Sequence, residues 1–163
     1  MAKNKEEKTN VMRVLEQKKI AYTAHTYPHE EGMADAGITV AQSMGFDPAI
    51  VFKTLVARGA SKQYYVFDVP VAENLDLKKA AKAVGEKSIE MIHQKELLPL
   101  TGYVHGGCSP VGMKKLFPTV FHSSAENLAA MIVSAGKIGY QVELAPHDLA
   151  ALVRAKFADI IVE

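Results

Sequence analysis

The stretch Val51-Phe52-Lys53-Thr54-Leu55-Val56-Ala57, the link Arg58-Gly59-Ala60-Ser61-Lys62 and the run Gln63-Tyr64-Tyr65-Val66-Phe67-Asp68-Val69 together decide how the chain folds. β-branched and aromatic residues fill both flanks, and the link is short, polar and contains glycine. The stretch therefore reads as two strands joined by a hairpin. In the first strand Phe52, Thr54 and Val56 share one face, and Lys53, Leu55 and Ala57 share the other. A hairpin at this point is incompatible with a purely parallel, doubly wound sheet, in which every strand is followed by a crossover.

Outward from the hairpin, helices and strands alternate without a repeat or a linker. On the N-terminal side, Thr9 or Asn10 caps a helix that ends near Lys19, with Val11, Val14 and Leu15 on one face. A strand over Ala21–Tyr27 stops at Pro28, and His29–Gly32 forms a polar turn. A helix over Ala34–Met44 closes on Gly45, and Asp47-Pro48 opens one more helical turn. On the C-terminal side, Asp76 caps a helix that ends at Gly85, Ser88–Ile92 forms a short strand, and Gln94–Leu98 forms a short helix before Pro99. Gly102–His105 reads as a strand feeding a glycine-rich loop. Thr119–Phe121, Met131–Ser134 and Tyr140–Leu144 are further strands, and Pro146 starts a last helix. The expected fold is α/β: a single domain over residues 1–163 with a mixed, strongly curved or barrel-like β-sheet surrounded by helices. Residues 1–8 are expected to be flexible.

Bulk composition narrows the function. Of 163 residues, 48% are apolar and 23% charged, an ordinary globular balance. No apolar run reaches the roughly 18 residues of a membrane span, and no signal peptide opens the chain. The single cysteine, Cys108, excludes an internal disulfide and suits a reducing compartment, so the expected location is cytoplasmic. The formal net charge is only +1, whereas a protein that grips many phosphates is strongly basic. Any nucleic-acid contact is therefore expected to be local. Lysines cluster at Lys78, Lys79, Lys82 and Lys87, and at Lys114 with Lys115, a pattern that also suits a solvated face.

Two features could carry chemistry. Lys53 lies inside an apolar strand, where an unpaired ammonium is costly, so it should face a cleft, a carboxylate or an anion. The alternative is an edge-strand lysine that opposes aggregation. The segment Thr101–Lys115 gathers Gly102, Gly106, Gly107 and Gly112 around Cys108, Ser109 and Pro110. Glycine lets backbone approach a ligand closely, and loop N–H groups can point at an anion or a polarised carbonyl. The same residues also suit a tight turn. Cys108 with His105 raises a thiol-hydrolase reading, against which stands a buried, inert cysteine. The six histidines are scattered, without zinc-site spacing, and no nucleotide-binding loop or dinucleotide fingerprint occurs. Neither a metal nor another cofactor is expected.

Several segments combine into a resemblance. They are His25-Thr26-Tyr27, Val51–Leu55, Pro70-Val71-Ala72 with Leu75–Ala83, Thr101-Gly102-Tyr103, Gly106–Gly112, Lys114-Lys115, Pro118-Thr119, Val133–Lys137 and Ala155–Asp159. Together, from about Thr9 onward, the chain resembles the YbaK/EbsC family of aminoacyl-tRNA deacylases, most of all the Cys-tRNA(Pro) deacylase branch. That family is related to the editing domain of bacterial prolyl-tRNA synthetases. The resemblance implies hydrolysis of a mischarged aminoacyl ester at the tRNA acceptor end, with the substrate thiol as possible nucleophile and prolyl-tRNA synthetase as a possible partner.

The same resemblance implies that Lys53 is the central functional lysine, with the Gly106 and Gly107 backbone contacting the substrate. Tyr27, Ala36, Ser109, Ser134, Gly136 and Gln141 would line the site. The Cys-specific branch usually carries aspartate where Gln141 stands, phenylalanine where Ala36 stands and an aliphatic residue where Cys108 stands. Ala135 replaces the first glycine of its Ser-Gly-Gly. Ala-tRNA(Pro), or another small amino acid, is therefore the alternative substrate. A non-catalytic module binding the acceptor end or a nucleotide is a further one.

Overall fold

The central hairpin forms as β2 (Phe52–Gly59) and β3 (Tyr64–Pro70), antiparallel with Phe52 opposite Pro70 and Arg58 opposite Tyr64. The computed structural model describes residues 8–27 and 37–163. The expectations for residues 1–7, for the turn at 29–32 and for Ala36 lie outside the described residues.

Two sheets grow from this hairpin. The five-stranded sheet adds β4 (Ile89–Met91) beside β2, then β5 (Thr119–His122) and β8 (Ala155–Ala158), both parallel, beyond β3. The three-stranded sheet is antiparallel, with β1 (Thr23–Thr26), β7 (Tyr140–Leu144) and β6 (Met131–Ser134) in that order. A single parallel bridge, Val51 to Ile132, joins the sheets at the start of β2. The mixed α/β class stands as expected. No closed barrel forms among the described residues: β1 and β8 belong to different sheets and do not pair with one another.

Local chemistry accounts for the helices. Thr9 Oγ1 accepts from Met12 N–H and starts α1 (Asn10–Gln17), which buries Val11, Met12 and Leu15. After α2 (Gly37–Ser43), Asp47 caps a 3₁₀ turn at Pro48–Ile50. Asp76 accepts from the Lys78 and Lys79 N–H groups and starts α3 (Leu77–Val84), which ends on Gly85 at φ 76°. The last helix, α5 (Pro146–Val153), starts at proline as expected.

Two local expectations are corrected, and one strand is added. Helix α4 (Gln94–Thr101) runs through Pro99 and ends on Gly102 at φ 89°. Proline near the end of a short helix forfeits a single backbone bond, and the Thr101 hydroxyl donates to the Leu97 carbonyl across the last turn. Gly102–His105 is therefore not a strand: its glycine is spent on ending α4, and Gly107 N–H closes a turn onto Val104. β8 is a strand that the pattern Ala-Lys-Phe-Ala is too short and too mixed to announce.

Packing sorts the faces. Phe52 and Phe121 of the larger sheet meet Met131, Val133, Val142 and Leu144 of the smaller one, with α1 and α5 closing that core. Full burial of a side chain such as Phe121 contributes about 1.5–3 kcal/mol. On the other face of β2 and β3, Ala57, Phe67 and Val69 pack under Ala80 and Ala81 of α3. A smaller cluster of Ala41, Val51, Val71 and Ile132 seats α2 where the sheets join.

Candidate active site

The register builds a polar row across the junction of the sheets. Ser134 of β6 is opposite Gln141 of β7, and Gln141 is opposite His25 of β1. Lys53 lies two residues along β2 from Val51, as Ser134 lies two residues along β6 from Ile132, and Val51 bridges Ile132 in parallel. Directly opposed residues project to the same face. Lys53, Ser134, Gln141 and His25 thus share one face, with Glu143 two residues beyond Gln141. The alternate residues Met131, Val133, Val142 and Leu144 form the core behind. Tyr27 continues β1 on this same face, its N–H bonded to the Gly139 carbonyl at 2.9 Å.

Each member has a distinct environment. Lys53 is half-buried, and burial pushes its ammonium pKa down against the opposing pull of the Glu73 carboxylate. Among the described residues it forms no hydrogen bond or close ion pair, so its charge is available to an anion. Ser134 Oγ accepts from Gly136 N–H at 3.1 Å. Gln141 is only 7% exposed, and among the described residues its Oε1 has no hydrogen-bond partner. His25 Nε2 bonds to Glu143 Oε1 at 2.8 Å, and its ring and that of Phe46 meet in a T-shaped pair with centroids 4.8 Å apart.

The glycine loop packs against the turn of the β6–β7 hairpin. A Cβ on Gly107 would fall 3.1 Å from Ile138 N and 3.3 Å from the Lys137 backbone, so the loop packs on the β6–β7 hairpin at its glycine. Gly107 N–H is engaged with the Val104 carbonyl, which leaves the exposed Gly106, at φ 90°, as the tip of the loop. Gly136 turns the hairpin at φ 98° against Tyr103 and Val11, on the core side. Ser109 is fully buried, its Oγ accepting from Val111 N–H, and it presents nothing to the row. Ala36 lies outside the described residues.

Cys108 is buried, and burial together with the Asp68 carboxylate pushes its thiol up to about 12. Burial thus disfavours the thiolate at neutral pH, and His105 makes no hydrogen bond to the thiol. Asp68 is itself fully buried. Its Oδ1 accepts from Thr54, its Oδ2 has no partner among the described residues, and burial pushes its carboxyl up to about 7. A cavity of about 120 Å³ lined by Val14, Val111, Phe117 and Leu152 includes no member of the polar row. Among the described residues no group of three His, Cys, Asp or Glu could hold a metal ion, and no helix is long and apolar enough to cross a membrane.

Residues 30–152 match the family model of the aminoacyl-tRNA editing domain. The chain belongs to that family. This editing domain is 47% identical, over 98% of each chain, to EbsC of Enterococcus faecalis, a candidate Cys-tRNA(Pro)/Cys-tRNA(Cys) deacylase. It is 26% identical, with a TM-score of 0.78, to a solved candidate trans-editing enzyme for prolyl-tRNA synthetase, covering 94% of this chain and 95% of that one. Sequence reading singled out Lys53, Ser134 and Gln141 of the editing domain's row but not the pairing of His25 with Glu143, 118 positions apart. The available signal was the alternation in β7, where Gln141 and Glu143 interrupt Tyr140, Val142 and Leu144.

Proposed function

We propose that the chain hydrolyses the aminoacyl ester of a mischarged tRNA, most readily Cys-tRNA(Pro), on the face that carries Lys53, Ser134, Gln141 and Tyr27. Membership of the editing family makes it an aminoacyl-tRNA deacylase. The row of polar side chains in register across β2, β6, β7 and β1 is the observation that carries the assignment of the site.

An aminoacyl ester is already activated, so the protein needs mainly to hold it and to offset charge on the carbonyl oxygen. Lys53, with no close ion pair among the described residues, supplies a cation for the terminal phosphate or for the developing oxyanion. Gly106, at the exposed tip of its loop, brings backbone close to the carbonyl. Tyr27, Ser134 and Gln141 flank the amino acid, while Ser109 and Gly136 shape the pocket indirectly. With a cysteinyl ester, the substrate thiol can attack its own carbonyl, and no protein nucleophile is required. The buried, uncharged Gln141 favours one second reading, removal of another small amino acid such as alanine from Ala-tRNA(Pro). Prolyl-tRNA synthetase is the proposed partner, and the cytoplasm the proposed location.

Single-turnover deacylation of Cys-tRNA(Pro) and Ala-tRNA(Pro) by wild type, Lys53→Ala and Lys53→Arg tests this. Loss of an oxyanion- or phosphate-binding group costs about 10²–10³-fold, so Lys53→Ala should fall by that factor and Lys53→Arg by less. Wild-type rates in Lys53→Ala would remove Lys53 from the site. No turnover of either ester by wild type would favour a non-catalytic module that binds the acceptor end.

A further inference from the structure

The His25–Glu143 pair has no part in thiol-assisted cleavage, yet it is built as a base and its orienting carboxylate. The two side chains are 21% and 30% exposed, and Nε2 and Oε1 are 2.8 Å apart. The Phe46 ring packs against the imidazole, with centroids 4.8 Å apart and ring planes at 63°. With Nε2 engaged by the carboxylate, the neutral tautomer carries its proton there and Nδ1 is the nitrogen that accepts. Directly opposite His25 in the register is Gln141, whose Oε1 is buried and has no partner among the described residues. A buried acceptor without a donor is uncommon and calls for one. Nδ1 and Oε1 are two acceptors on one face, and a water molecule has two protons to donate.

Resting on the deacylase reading above, we propose that His25, oriented by Glu143, is the general base that activates water for direct attack on the ester, with Gln141 Oε1 accepting the water's second hydrogen. The water gives one proton to Nδ1 while its oxygen bonds to the carbonyl carbon, and the carbonyl electron pair moves onto oxygen beside Lys53. Collapse of that adduct breaks the bond from the acyl carbon to the ribose oxygen. The ribose oxygen takes the proton back from the imidazolium. The products are the free amino acid and a free ribose hydroxyl, so atoms and protons balance with water as the only co-reactant. This route needs no thiol in the substrate, and it extends the site to esters of amino acids without one.

The test is single-turnover hydrolysis of Ala-tRNA(Pro) beside Cys-tRNA(Pro), with wild type, His25→Ala, His25→Asn and Glu143→Gln, each checked for a wild-type thermal melt. General-base catalysis contributes about 10²–10⁴-fold. Both His25 variants should lose that factor on the alanyl ester, and added imidazole should restore part of it to His25→Ala. Loss of an orienting partner costs about 10–100-fold, which is the expectation for Glu143→Gln. The cysteinyl ester, with its own nucleophile, should lose less throughout. His25→Ala within threefold of wild type on the alanyl ester overturns the proposal. So does a folded His25→Asn at the wild-type rate, or a loss that imidazole leaves untouched. Turnover of the cysteinyl ester alone by wild type overturns the dyad and leaves the deacylase standing. Turnover of neither ester overturns both.

Discussion

Cys108 and Lys53 show how differently one fold treats two reactive side chains. Lys53 keeps a route to solvent and a distant counter-charge in Glu73. Cys108 is 8% exposed, packs with Val56, Val66 and Phe117, and has its thiol pushed up to about 12 by burial and by Asp68. A thiol with that pKa is almost wholly protonated at neutral pH and reacts slowly, because the thiolate is the nucleophile. Native protein should therefore resist alkylation by iodoacetamide at pH 7.5, and the same protein in denaturant should react at the rate of an ordinary cysteine. Stoichiometric alkylation of the native chain within minutes, with loss of deacylation, would bring the thiol back into the chemistry. Cys108→Ala should keep the activity.

Between elements, the junction of the β6–β7 hairpin with the glycine loop is a contact of backbone on backbone. Gly107 lies against backbone atoms of Lys137 and Ile138, not against a side chain that could swing away. An alanine methyl at that point must move the loop or the hairpin, and Ser134 and Gln141 are on the strands which that hairpin joins. Displacement of a reacting group by about 1 Å can cost on the order of 100-fold in rate. Gly107→Ala should accordingly reduce single-turnover deacylation at least tenfold, while far-ultraviolet circular dichroism stays that of wild type. An unchanged rate would separate the glycine loop from the site. Gly85 has a different duty: no atom lies within 4 Å of the place its Cβ would occupy, and its φ of 76° only ends α3.

For the whole molecule, the telling group is Asp68. Its carboxyl stands at about 7 in the fold, against 3.8 ordinarily, because burial penalises the charged form more than the Thr54 hydrogen bond favours it. Between these pH values the native state holds a proton that the unfolded chain has released. Stability from this group is therefore complete below the unfolded pKa and is lost as pH rises through the folded one. At about 1.4 kcal/mol per pK unit the loss is on the order of 4 kcal/mol. The melting temperature of wild type should fall as pH rises from about 4 to about 7 and level off above that. Asp68→Asn, neutral throughout, should fall less and should exceed wild type at the upper end. Parallel curves for the two proteins would show that Asp68 is not protonated in the native state.

What the sequence by itself determined is local. Thr9, Asp47 and Asp76 announce helix starts because their side chains accept from backbone N–H groups two or three residues on, and Gly45 and Gly85 stand at helix ends with φ 76°. The Val51–Val69 hairpin is legible because alternation and turn chemistry act over a few residues. Lys53 is legible because a lysine in an apolar strand is out of place, and the family resemblance drew attention to Ser134 and Gln141. Only the tertiary structure decided that the sheet divides at β2 into two parts, since a single bridge from Val51 to Ile132 depends on where residues 81 positions apart come to lie. It alone set His25 against Glu143, buried Cys108 beside Asp68, and spent Gly102 on a helix end instead of a strand. Each of these is a contact between distant segments or a competition between two local uses of one residue, and both are settled by packing, which a linear pattern does not carry.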